Sequence, residues 1–280
     1  MKAALINDLS GLGRCSLVAD IAVLSAMGIT ACPAPTAVLS AQTAYPVYSR
    51  FDFAGELPVY LDKWRAAGAA FDGILTGYFT GADEAGIAAD FVQSFSAADR
   101  KPFVLVDPVM GDDGRPYSNF SDELCRRLQT LCAAADVITP NLTELWLLTG
   151  GPAGEASGDP APEEIRRRAS LLLDRGCKAV VVTGIARGSQ IGSLALSRTR
   201  GQKLFLAPRC PQSFCGTGDV FAAIVFGGLL RGDAPDDTLA LAAQFISSAA
   251  MSAMLNGAGA NDGIDYEKQL YRLIPKAGKE

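Results

Sequence analysis

Phe103-Val104-Leu105-Val106-Asp107 predicts a short strand buried on both faces, because four consecutive apolar residues leave no polar side for solvent. A second run of this kind is Ala179–Thr183, and amphipathic segments that suit helices separate such runs along the chain. The repeated order of strand, helix and strand is typical of a mainly parallel sheet with helices on both faces. The sequence therefore predicts an α/β fold with a single doubly wound, mainly parallel sheet.

The other elements follow from local patterns. Pro33 and Pro35 indicate that the second strand is an edge strand or irregular, and the small residues of Gly150–Pro162 are typical of a loop. No linker is long enough to separate two domains, so residues 1–280 are expected to form one domain. Strands are expected at about residues 3–7, 29–39, 137–139, 192–196 and 203–206, the last two as a hairpin, and helices at about 14–27, 56–67, 83–97, 121–134, 143–148, 163–175, 217–230, 235–255 and 266–274.

Composition narrows the class of protein. The 280 residues are 49% hydrophobic and 20% charged, with a net charge of −5 and no basic block, so nucleic acid is not an expected partner. The first apolar stretch is too short for a signal peptide. Val220–Leu230 and Leu239–Leu255 are expected to fall short of a membrane span of about 20 residues. A cytoplasmic enzyme without a membrane partner is the expectation.

The chain contains no histidine and seven cysteines. The absence of histidine excludes a Ser-His-Asp triad, a Cys-His pair and a histidine-ligated metal. An odd number of cysteines without a Cys-x-x-Cys pair argues against a disulfide framework and a structural zinc site. Acid–base chemistry must therefore rest on Asp, Glu, Lys, Cys or Tyr.

Polar residues stand at or just after the predicted strand ends. Asp8, Asp107, Asn141 and Thr183 are expected to meet, because ligands of such sheets bind outside the carboxyl ends of the strands. An acid that faces a phosphate there is repelled unless a divalent cation lies between them. Oxygen ligands of this kind suit Mg²⁺, which keeps several of its waters.

Thr139-Pro140-Asn141-Leu142-Thr143-Glu144 allows two interpretations. Asn141 and Glu144 have the spacing of a capping box, in which the two residues satisfy the free N–H groups of a helix start. Alternatively, Asn141 contacts a phosphate and Glu144 reaches a metal-bound water.

Cys215-Gly216-Thr217-Gly218-Asp219 opens an apolar helix and also allows two interpretations. Asp219 is either an ordinary acid of a helix start or a base beside a phosphate held by backbone N–H groups. Flanking glycines cost backbone entropy and need a conformational reason, which a phosphoryl-transfer site supplies. The chain has no P-loop motif.

Ser10-Gly11-Leu12-Gly13-Arg14-Cys15-Ser16 half matches a dinucleotide fingerprint, but the expected later acid is absent. The stretch is either a tight turn or the floor of a substrate pocket anchored by Asp8. A dinucleotide-dependent oxidoreductase built on Gly11 and Gly13 therefore stays an alternative.

Three of these motifs together resemble the pyridoxal/pyridoxamine kinase family of the ribokinase-like superfamily, to which hydroxymethylpyrimidine kinases are related. The motifs are Asp107–Asp112, Thr139–Glu144 and Gly216–Asp219, and the likeness runs from about residue 3 to about residue 256. The resemblance implies ATP-dependent phosphorylation of the hydroxymethyl group of pyridoxal, pyridoxamine or pyridoxine. It also implies a homodimer, and it leaves a monovalent cation open.

The resemblance implies a role for individual residues. Asp219 would be the base, and Gly216, Thr217 and Gly218 the anion hole. Asp107, Asn141, Glu144 and Thr183 would serve ATP, with Mg²⁺ held at Asp107 and Glu144 through water. The B6 vitamer would lie against Asp8, Gln42, Thr43, Ala44 and Tyr78, although core packing is an alternative role for Tyr78.

One residue departs from the family pattern. The substrate loop of the family often has Asn-His-Thr, where this chain has Ala41-Gln42-Thr43. Because the histidine of the family motif is replaced by Gln42, the sequence does not decide which vitamer is preferred. Cys215 is expected to be a small residue that fills its turn. A hydroxymethylpyrimidine kinase and a non-catalytic vitamer-binding protein remain alternatives.

Overall fold

The computed structural model describes residues 1–95, 101–158 and 160–275. A nine-stranded sheet lies at its centre and a two-stranded hairpin, β6 and β7, lies beside it. The strands are β1 (Lys2–Ser10), β2 (Thr30–Leu39), β3 (Arg50–Asp52), β4 (Gly73–Thr76), β5 (Phe103–Val106), β6 (Gly111–Asp112), β7 (Arg115–Pro116), β8 (Val137–Ile138), β9 (Ala179–Arg187), β10 (Gln190–Ser197) and β11 (Gly201–Pro208).

Eight α-helices and three short 3₁₀ helices are present in the described part of the chain. The α-helices are α1 (Ser16–Ala26), α2 (Leu57–Ala66), α3 (Ala82–Ser94), α4 (Asp122–Ala133), α5 (Leu142–Leu148), α6 (Pro162–Asp174), α7 (Thr217–Leu230) and α8 (Pro235–Leu255). The 3₁₀ helices are Ala153–Ala156, Ala260–Asp262 and Glu267–Leu273.

The order of the strands is β11-β10-β9-β8-β5-β4-β1-β2-β3. Neighbours from β9 across to β2 are parallel, and antiparallel strands extend the sheet at both ends. The chain runs from β1 to β2 in one direction and later from β4 through β5 and β8 to β9 in the other. This reversal opens a crevice at the carboxyl end of β1, where doubly wound sheets bind their ligands.

Two apolar cores cover the two faces of the sheet. One contains Phe79, Phe91 and residues of α2 to α6, and the other contains Phe226, Phe245 and residues of α1, α7 and α8. Each fully buried large side chain contributes about 1.5–3 kcal/mol of hydrophobic stabilisation. These cores confirm the predicted α/β fold with helices on both faces, and they fix the strand ends that carry the polar residues.

Some local predictions were wrong. β9 does not end at Thr183 but continues to Arg187, because it turns into a hairpin with β10. The tail expected as a helix over 266–274 is the 3₁₀ helix Glu267–Leu273. Strands β3, β6 and β7 were not predicted, and Ala153–Ala156 forms a 3₁₀ turn inside the expected loop. The end of the helix predicted over 83–97 lies outside the described residues.

The prolines of β2 behave as expected. Strand β3 pairs with β2 only at Ala37–Leu39, so Pro33 and Pro35 lie where the outer side of β2 has no paired strand among the described residues. A missing N–H group costs no ladder hydrogen bond there. That residues 1–280 form one domain stays a prediction.

Helix α8 has the bounds that the sequence predicted, Pro235–Leu255. It has 21 residues and a mean hydropathy of 1.5, so by length and composition alone it could cross a membrane. The expectation that this segment falls short of a span was therefore wrong. Leu239, Ala242, Phe245, Ala249 and Ala253 are buried in the second core. Core helices of globular proteins also have this length and composition.

Candidate active site

The predicted strand-end residues do lie along one edge of the sheet, and hydrogen bonds link neighbouring strand ends. The backbone N–H of Thr183 donates to the carbonyl oxygen of Pro140 at 2.9 Å. The hydroxyl of Thr139 donates to the carboxylate of Asp107 at 2.8 Å. Asp107 in turn donates its N–H to Thr76 at the end of β4. The convergence expected from the sequence is therefore present.

The same edge continues to the end of β1. The side-chain oxygen of Asn7 accepts hydrogen bonds from the backbone N–H groups of Tyr78, at 2.8 Å, and Asp8, at 3.0 Å. The pairing of β1 with β2 shifts between Asn7 and Leu9, so Asp8 occupies an irregularity of the strand. An irregular strand residue can turn its side chain away from the regular alternation, and such features often lie beside active sites.

Asp107 and Glu144 are buried acids on the β5 and β8 side of this edge. Burial raises the pKa of both carboxyl groups. The nearby charge of Asp219 adds to the effect at Asp107, and that of Asp107 adds to it at Glu144. Without a cation, these buried carboxyl groups ionise less readily than usual. A bound cation would stabilise their ionised form.

The capping-box interpretation of Asn141 and Glu144 is confirmed. The Asn141 side-chain oxygen accepts from the Glu144 N–H at 2.9 Å, and a Glu144 oxygen accepts from the Asn141 N–H at 2.8 Å. The other Glu144 oxygen accepts from the Met110 N–H at 3.2 Å, and the Asn141 amide donates to the Gly111 carbonyl oxygen at 2.8 Å. Both side chains already have structural partners. Contact with a phosphate would use the second amide N–H of Asn141, and contact with a metal-bound water would use the remaining lone pairs of Glu144.

The turn before α7 has the conformation that its glycines suggested. Gly216 has φ of 76°, in the left-handed region, and a Cβ there would lie 2.1 Å from the carbonyl oxygen of Arg14. Only glycine fits such a position. Gly218 differs, because a Cβ there would lie 3.9 Å from an Asp107 oxygen and touch nothing nearer. Gly218 therefore leaves open space between the start of α7 and Asp107.

Asp219 lies in the first turn of α7, among other acids. Its carboxylate faces the Nδ2 atom of Asn7 at 3.4 Å and receives a hydrogen bond from the backbone of Ser16. Burial raises the pKa of Asp219, the charge of Asp8 adds to the rise, and these hydrogen bonds oppose it. Ser16 has φ of 52°, a strained value for a residue with a side chain, and such strain concentrates at functional sites.

Asp8 lies in β1 and Tyr78 follows β4, whereas the capping box follows β8, farther along the same edge of the sheet. Asp8 is buried, and its carboxylate accepts a hydrogen bond from the Ser10 hydroxyl at 2.7 Å. Burial raises the pKa of Asp8 and raises that of Tyr78 to about 12. Contact of Asp8 and Tyr78 with a substrate stays a prediction.

The loop that carries Gln42, Thr43 and Ala44 closes against the 3₁₀ turn near Asn261. The buried Gln42 amide accepts from the Ala44 N–H at 2.8 Å and donates to the Asn261 carbonyl oxygen at 3.2 Å. Thr43 and Ala44 are exposed. Gln42 thus holds its own loop, and contact of these three residues with a substrate stays a prediction.

The glycine turn after β1 has little room for a dinucleotide. The N–H of Gly11 donates to the Leu39 carbonyl oxygen at 2.8 Å, and that of Leu12 donates to Ser40 at 3.1 Å. Gly13 lies so close to Gln42 that a Cβ would meet its side chain at 2.8 Å. The backbone donors that would cradle a pyrophosphate are already used, so the tight-turn interpretation is favoured over the oxidoreductase.

Cys215 is half-buried, and burial raises the pKa of its thiol. A reactive cysteine needs a lowered thiol pKa. The structure therefore favours the role of Cys215 as a residue that fills the turn.

Sequence reasoning missed several residues of the site. Asn7 and Asp20 lie directly beneath Asp219, and the only sequence signal for Asp20 was an acid on the apolar face of α1. Tyr117 follows the unpredicted hairpin and is 43% exposed, while partial burial of its hydroxyl and the nearby charge of Glu144 raise the pKa of that hydroxyl. A cavity of about 540 Å³ lies at this hairpin, lined by Asp112, Asp113, Arg115, Pro116 and Tyr117.

Known proteins resemble this chain over most of its length. Residues 13–263 match the model of the phosphomethylpyrimidine kinase family. A pyridoxine/pyridoxal/pyridoxamine kinase from Bordetella avium is 34% identical over 216 residues, which cover 71% of this chain and 67% of that relative. A pyridoxal kinase from Deinococcus radiodurans is 30% identical over 239 residues, which cover 82% and 79% of the two chains. The match to a candidate pyridoxal kinase from Caenorhabditis elegans, 34% identical over 167 residues, spans 57% of this chain and half of that relative's length.

Solved structures share the whole fold. A candidate phosphomethylpyrimidine kinase from Bacteroides thetaiotaomicron has a TM-score of 0.92 and 36% identity, and the alignment covers 99% of this chain and 95% of that one. A second crystal form of that protein contains pyridoxal and has a TM-score of 0.90. Pyridoxal kinase from Lactobacillus plantarum has a TM-score of 0.88 and 29% identity, with 97% and 96% of the two chains covered.

Proposed function

Because the chain belongs to the phosphomethylpyrimidine kinase family, we propose that it is an ATP-dependent kinase that phosphorylates the hydroxymethyl group of a B6 vitamer. The single observation that carries the proposal is the position of Asp219. It stands in the first turn of α7, behind the left-handed Gly216 and across an open gap from Asp107. An acid in that place can take a proton next to a bound phosphoryl group.

The proposed reaction needs few chemical groups. Asp219 accepts the proton of the hydroxymethyl group, the freed oxygen attacks the γ-phosphorus of ATP, and the bond to the β-phosphate oxygen breaks to release ADP. The free N–H groups of Gly216, Thr217 and Gly218 at the start of α7 stabilise the negative charge on the transferred phosphoryl. Positioning and electrostatics thus supply the catalysis.

Asp107 and Glu144 fit a magnesium ion that ATP brings with it. No group of three acids, cysteines or histidines in the described ranges could hold a metal by itself. Mg²⁺ suits this arrangement, because it is commonly bound by one or two carboxylates, waters and substrate phosphates. Bound there, it would neutralise phosphate charge. Asp107 has the freer carboxylate of the two, since the Glu144 oxygens are held by backbone N–H groups.

The acceptor is assigned by the β1 side of the site and by the relatives. Asp8 and Tyr78 offer a polar and an aromatic contact, which suit a hydroxylated pyridine ring. Relatives named as pyridoxal kinases and a similar structure containing pyridoxal support the B6 vitamer. ATP sites at Asn141 and Thr183, a homodimer, a cytoplasmic location and a monovalent cation remain parts of the proposal.

A hydroxymethylpyrimidine kinase is the second candidate. The name of the matching family and that of the Bacteroides thetaiotaomicron relative favour it. Both substrates present a hydroxymethyl group on a flat ring, so the same base and phosphate site would serve either one.

The test is acceptor-dependent release of ADP by the purified chain. Pyridoxal, pyridoxamine, pyridoxine, hydroxymethylpyrimidine and ribose are each offered with ATP, with and without Mg²⁺, and ATP alone gives the background. The proposal expects ADP and a phosphorylated product in equal amounts with at least one B6 vitamer and none above background with ribose. Turnover of the pyrimidine alone would select the second candidate. Pyridoxal binding without ADP release would indicate a non-catalytic binding protein.

A further inference from the structure

Two buried polar side chains lie beneath Asp219, and the proposed reaction does not use them. Asp20, on the buried face of α1, is 1% exposed, and Asn7, near the end of β1, is 3% exposed. The Asp20 carboxyl group accepts a hydrogen bond from Asn7 Nδ2 at 3.0 Å, and it makes no ion pair with the residues that the structure describes. An acid buried without an opposite charge is costly, so its presence needs a reason.

The orientation of the Asn7 amide is fixed by its neighbours. Its oxygen accepts from two backbone N–H groups, those of Asp8 at 3.0 Å and Tyr78 at 2.8 Å. Since those donors require an acceptor, the amide nitrogen must point the other way. Gly77 leaves the room for this contact, because a Cβ there would lie 2.5 Å from the Asn7 amide atoms.

The Asn7 nitrogen faces two acids at once. It lies 3.0 Å from Asp20 Oδ2 and 3.4 Å from Asp219 Oδ1. A primary amide carries two N–H groups, so each acid can receive one. The Asn7 amide therefore joins a residue of α1 to the residue that we assign as the base.

We propose that Asp20 is a positioning residue for Asp219 and acts through Asn7. This inference rests on the proposed function, in which Asp219 accepts the proton. With Asp20 in place, the Asn7 amide has a partner for each of its N–H groups, and its second N–H is held toward Asp219. Without Asp20, that N–H group lacks an acceptor, the amide can tilt, and Asp219 loses a contact that sets its direction.

The protonation behaviour of Asp20 fits this role. Burial raises the pKa of Asp20 well above its usual range, and the charge of Asp219 raises it further. Burial and the charge of Asp219 thus both favour the neutral form of Asp20. A neutral carboxyl group still accepts the Asn7 hydrogen bond, and it adds no repulsive charge beside the base.

Steady-state kinetics of three variants test the inference. Asp20→Leu removes the acceptor and should lower kcat about 10- to 100-fold, because small misplacements of a reacting group are costly, with both KM values within about twofold. Asp20→Asn keeps an acceptor oxygen and should recover most of that loss. Glu84→Leu is the matched control, since Glu84 is also a buried acid and its hydrogen bonds go to Thr80 and the backbone of Gly81, not to Asn7 or Asp219. It should lower the melting temperature and leave kcat near wild type.

An unchanged kcat in folded Asp20→Leu would overturn the inference. A change in KM alone would also overturn it. So would a fall in kcat that Asp20→Asn does not reverse. If Asp20→Leu does not fold, Asp20→Ala takes its place, because its smaller side chain leaves room for water.

A second measurement does not depend on activity. Melting temperatures of Asp20→Leu, Asp219→Ala and the double variant form a cycle, which is repeated in an Asn7→Ala background. Coupling through the Asn7 amide should make the two changes non-additive by about 2 °C or more, and the coupling should vanish without Asn7. Additive shifts of the melting temperature in both backgrounds would show that the Asn7 amide does not couple Asp20 to Asp219. An inactive wild-type chain with intact coupling would instead count against the proposed function alone.

Discussion

The two halves of the strand-end edge hold their acids in different ways. On the phosphate side, formed by Asp107, Asn141, Glu144 and the turn before α7, the Glu144 carboxylate accepts from the backbone N–H groups of Met110 and Asn141. On the acceptor side, formed by Asn7, Asp8, Asp20 and Tyr78, the Asp20 carboxyl group accepts a hydrogen bond from the side chain of Asn7. Backbone donors stay in place whatever the side chains are. One substitution at Asn7 therefore removes this partner of Asp20, whereas the backbone partners of Glu144 remain.

Asp219 lies where the two halves meet, so removing its charge should have the largest effect. In Asp219→Asn the side chain keeps its shape and its contact with Asn7, but the amide cannot take up a proton. We expect kcat for the vitamer to fall about 10²- to 10⁴-fold, the usual contribution of a general base, while ATP binding remains. ADP release and nucleotide titration measure the two effects.

Asp237→Asn is the control for Asp219→Asn. Asp237 is an exposed acid in the first turn of α8, so its substitution makes the same change of charge at a helix start away from the site. Turnover of Asp219→Asn within a few-fold of this control would rule out Asp219 as the base.

The glycines of the phosphate-side turn should separate folding from chemistry. Gly216→Ala should destabilise the fold by about 2–5 kcal/mol, because the left-handed backbone and the Arg14 carbonyl oxygen both oppose a methyl group. Gly218→Ala should change stability by less than about 1 kcal/mol. It should nevertheless lower kcat about 100-fold, since its methyl group enters the gap in front of Asp107.

Thermal melts and ADP release of the two alanine variants check this contrast. Gly55→Ala serves as reference, because a Cβ at Gly55 has no described neighbour within 4 Å and its φ is not positive. Equal stability of Gly216→Ala and Gly55→Ala would contradict the assigned turn. Full activity of Gly218→Ala would show that phosphoryl transfer does not use the gap.

The sequence predicted the phosphate side better than the acceptor side, for physical reasons. The apolar run of β5 and the spacing of Asn141 and Glu144 are local patterns, and local patterns directly report a buried strand and a capped helix. The contact between Asn7 and Asp219 joins residues 212 positions apart, and no local pattern carries it. It forms only because packing of α1 and α7 on the same face of the sheet brings Asp219 to the end of β1.

Short elements escaped prediction for a different reason. Strand β3 has three residues, and β6 and β7 have two each, so none is long enough to show an alternating pattern. The apolar run that predicts β9 ends at Thr183, but the chain continues through Gly184 to Arg187 as one arm of a hairpin, which no apolar run marks. The hairpin of β6 and β7 matters most here, because it carries Tyr117 to the phosphate side.

Both sides contain buried acids with raised pKa values, and these should make the stability of the fold depend on pH. Burial raises the pKa of Asp8, Asp20, Asp107, Glu144 and Asp219. The folded chain then holds protons that the unfolded chain has released, so this contribution favours folding at low pH and is lost as pH rises through the raised pKa values.

Between about pH 5 and about pH 8, wild type should lose about 1–3 kcal/mol of stability relative to Asp219→Asn, in which a member of the cluster cannot ionise. Denaturant melts of both proteins at the two pH values measure this difference. Mg²⁺ with ATP should reduce it, since a bound cation favours the ionised acids on the phosphate side. Parallel pH curves for the two proteins would mean that Asp219 ionises in the folded chain as easily as in water, and the acceptor side would then lack the burial that distinguishes it from an ordinary acidic surface.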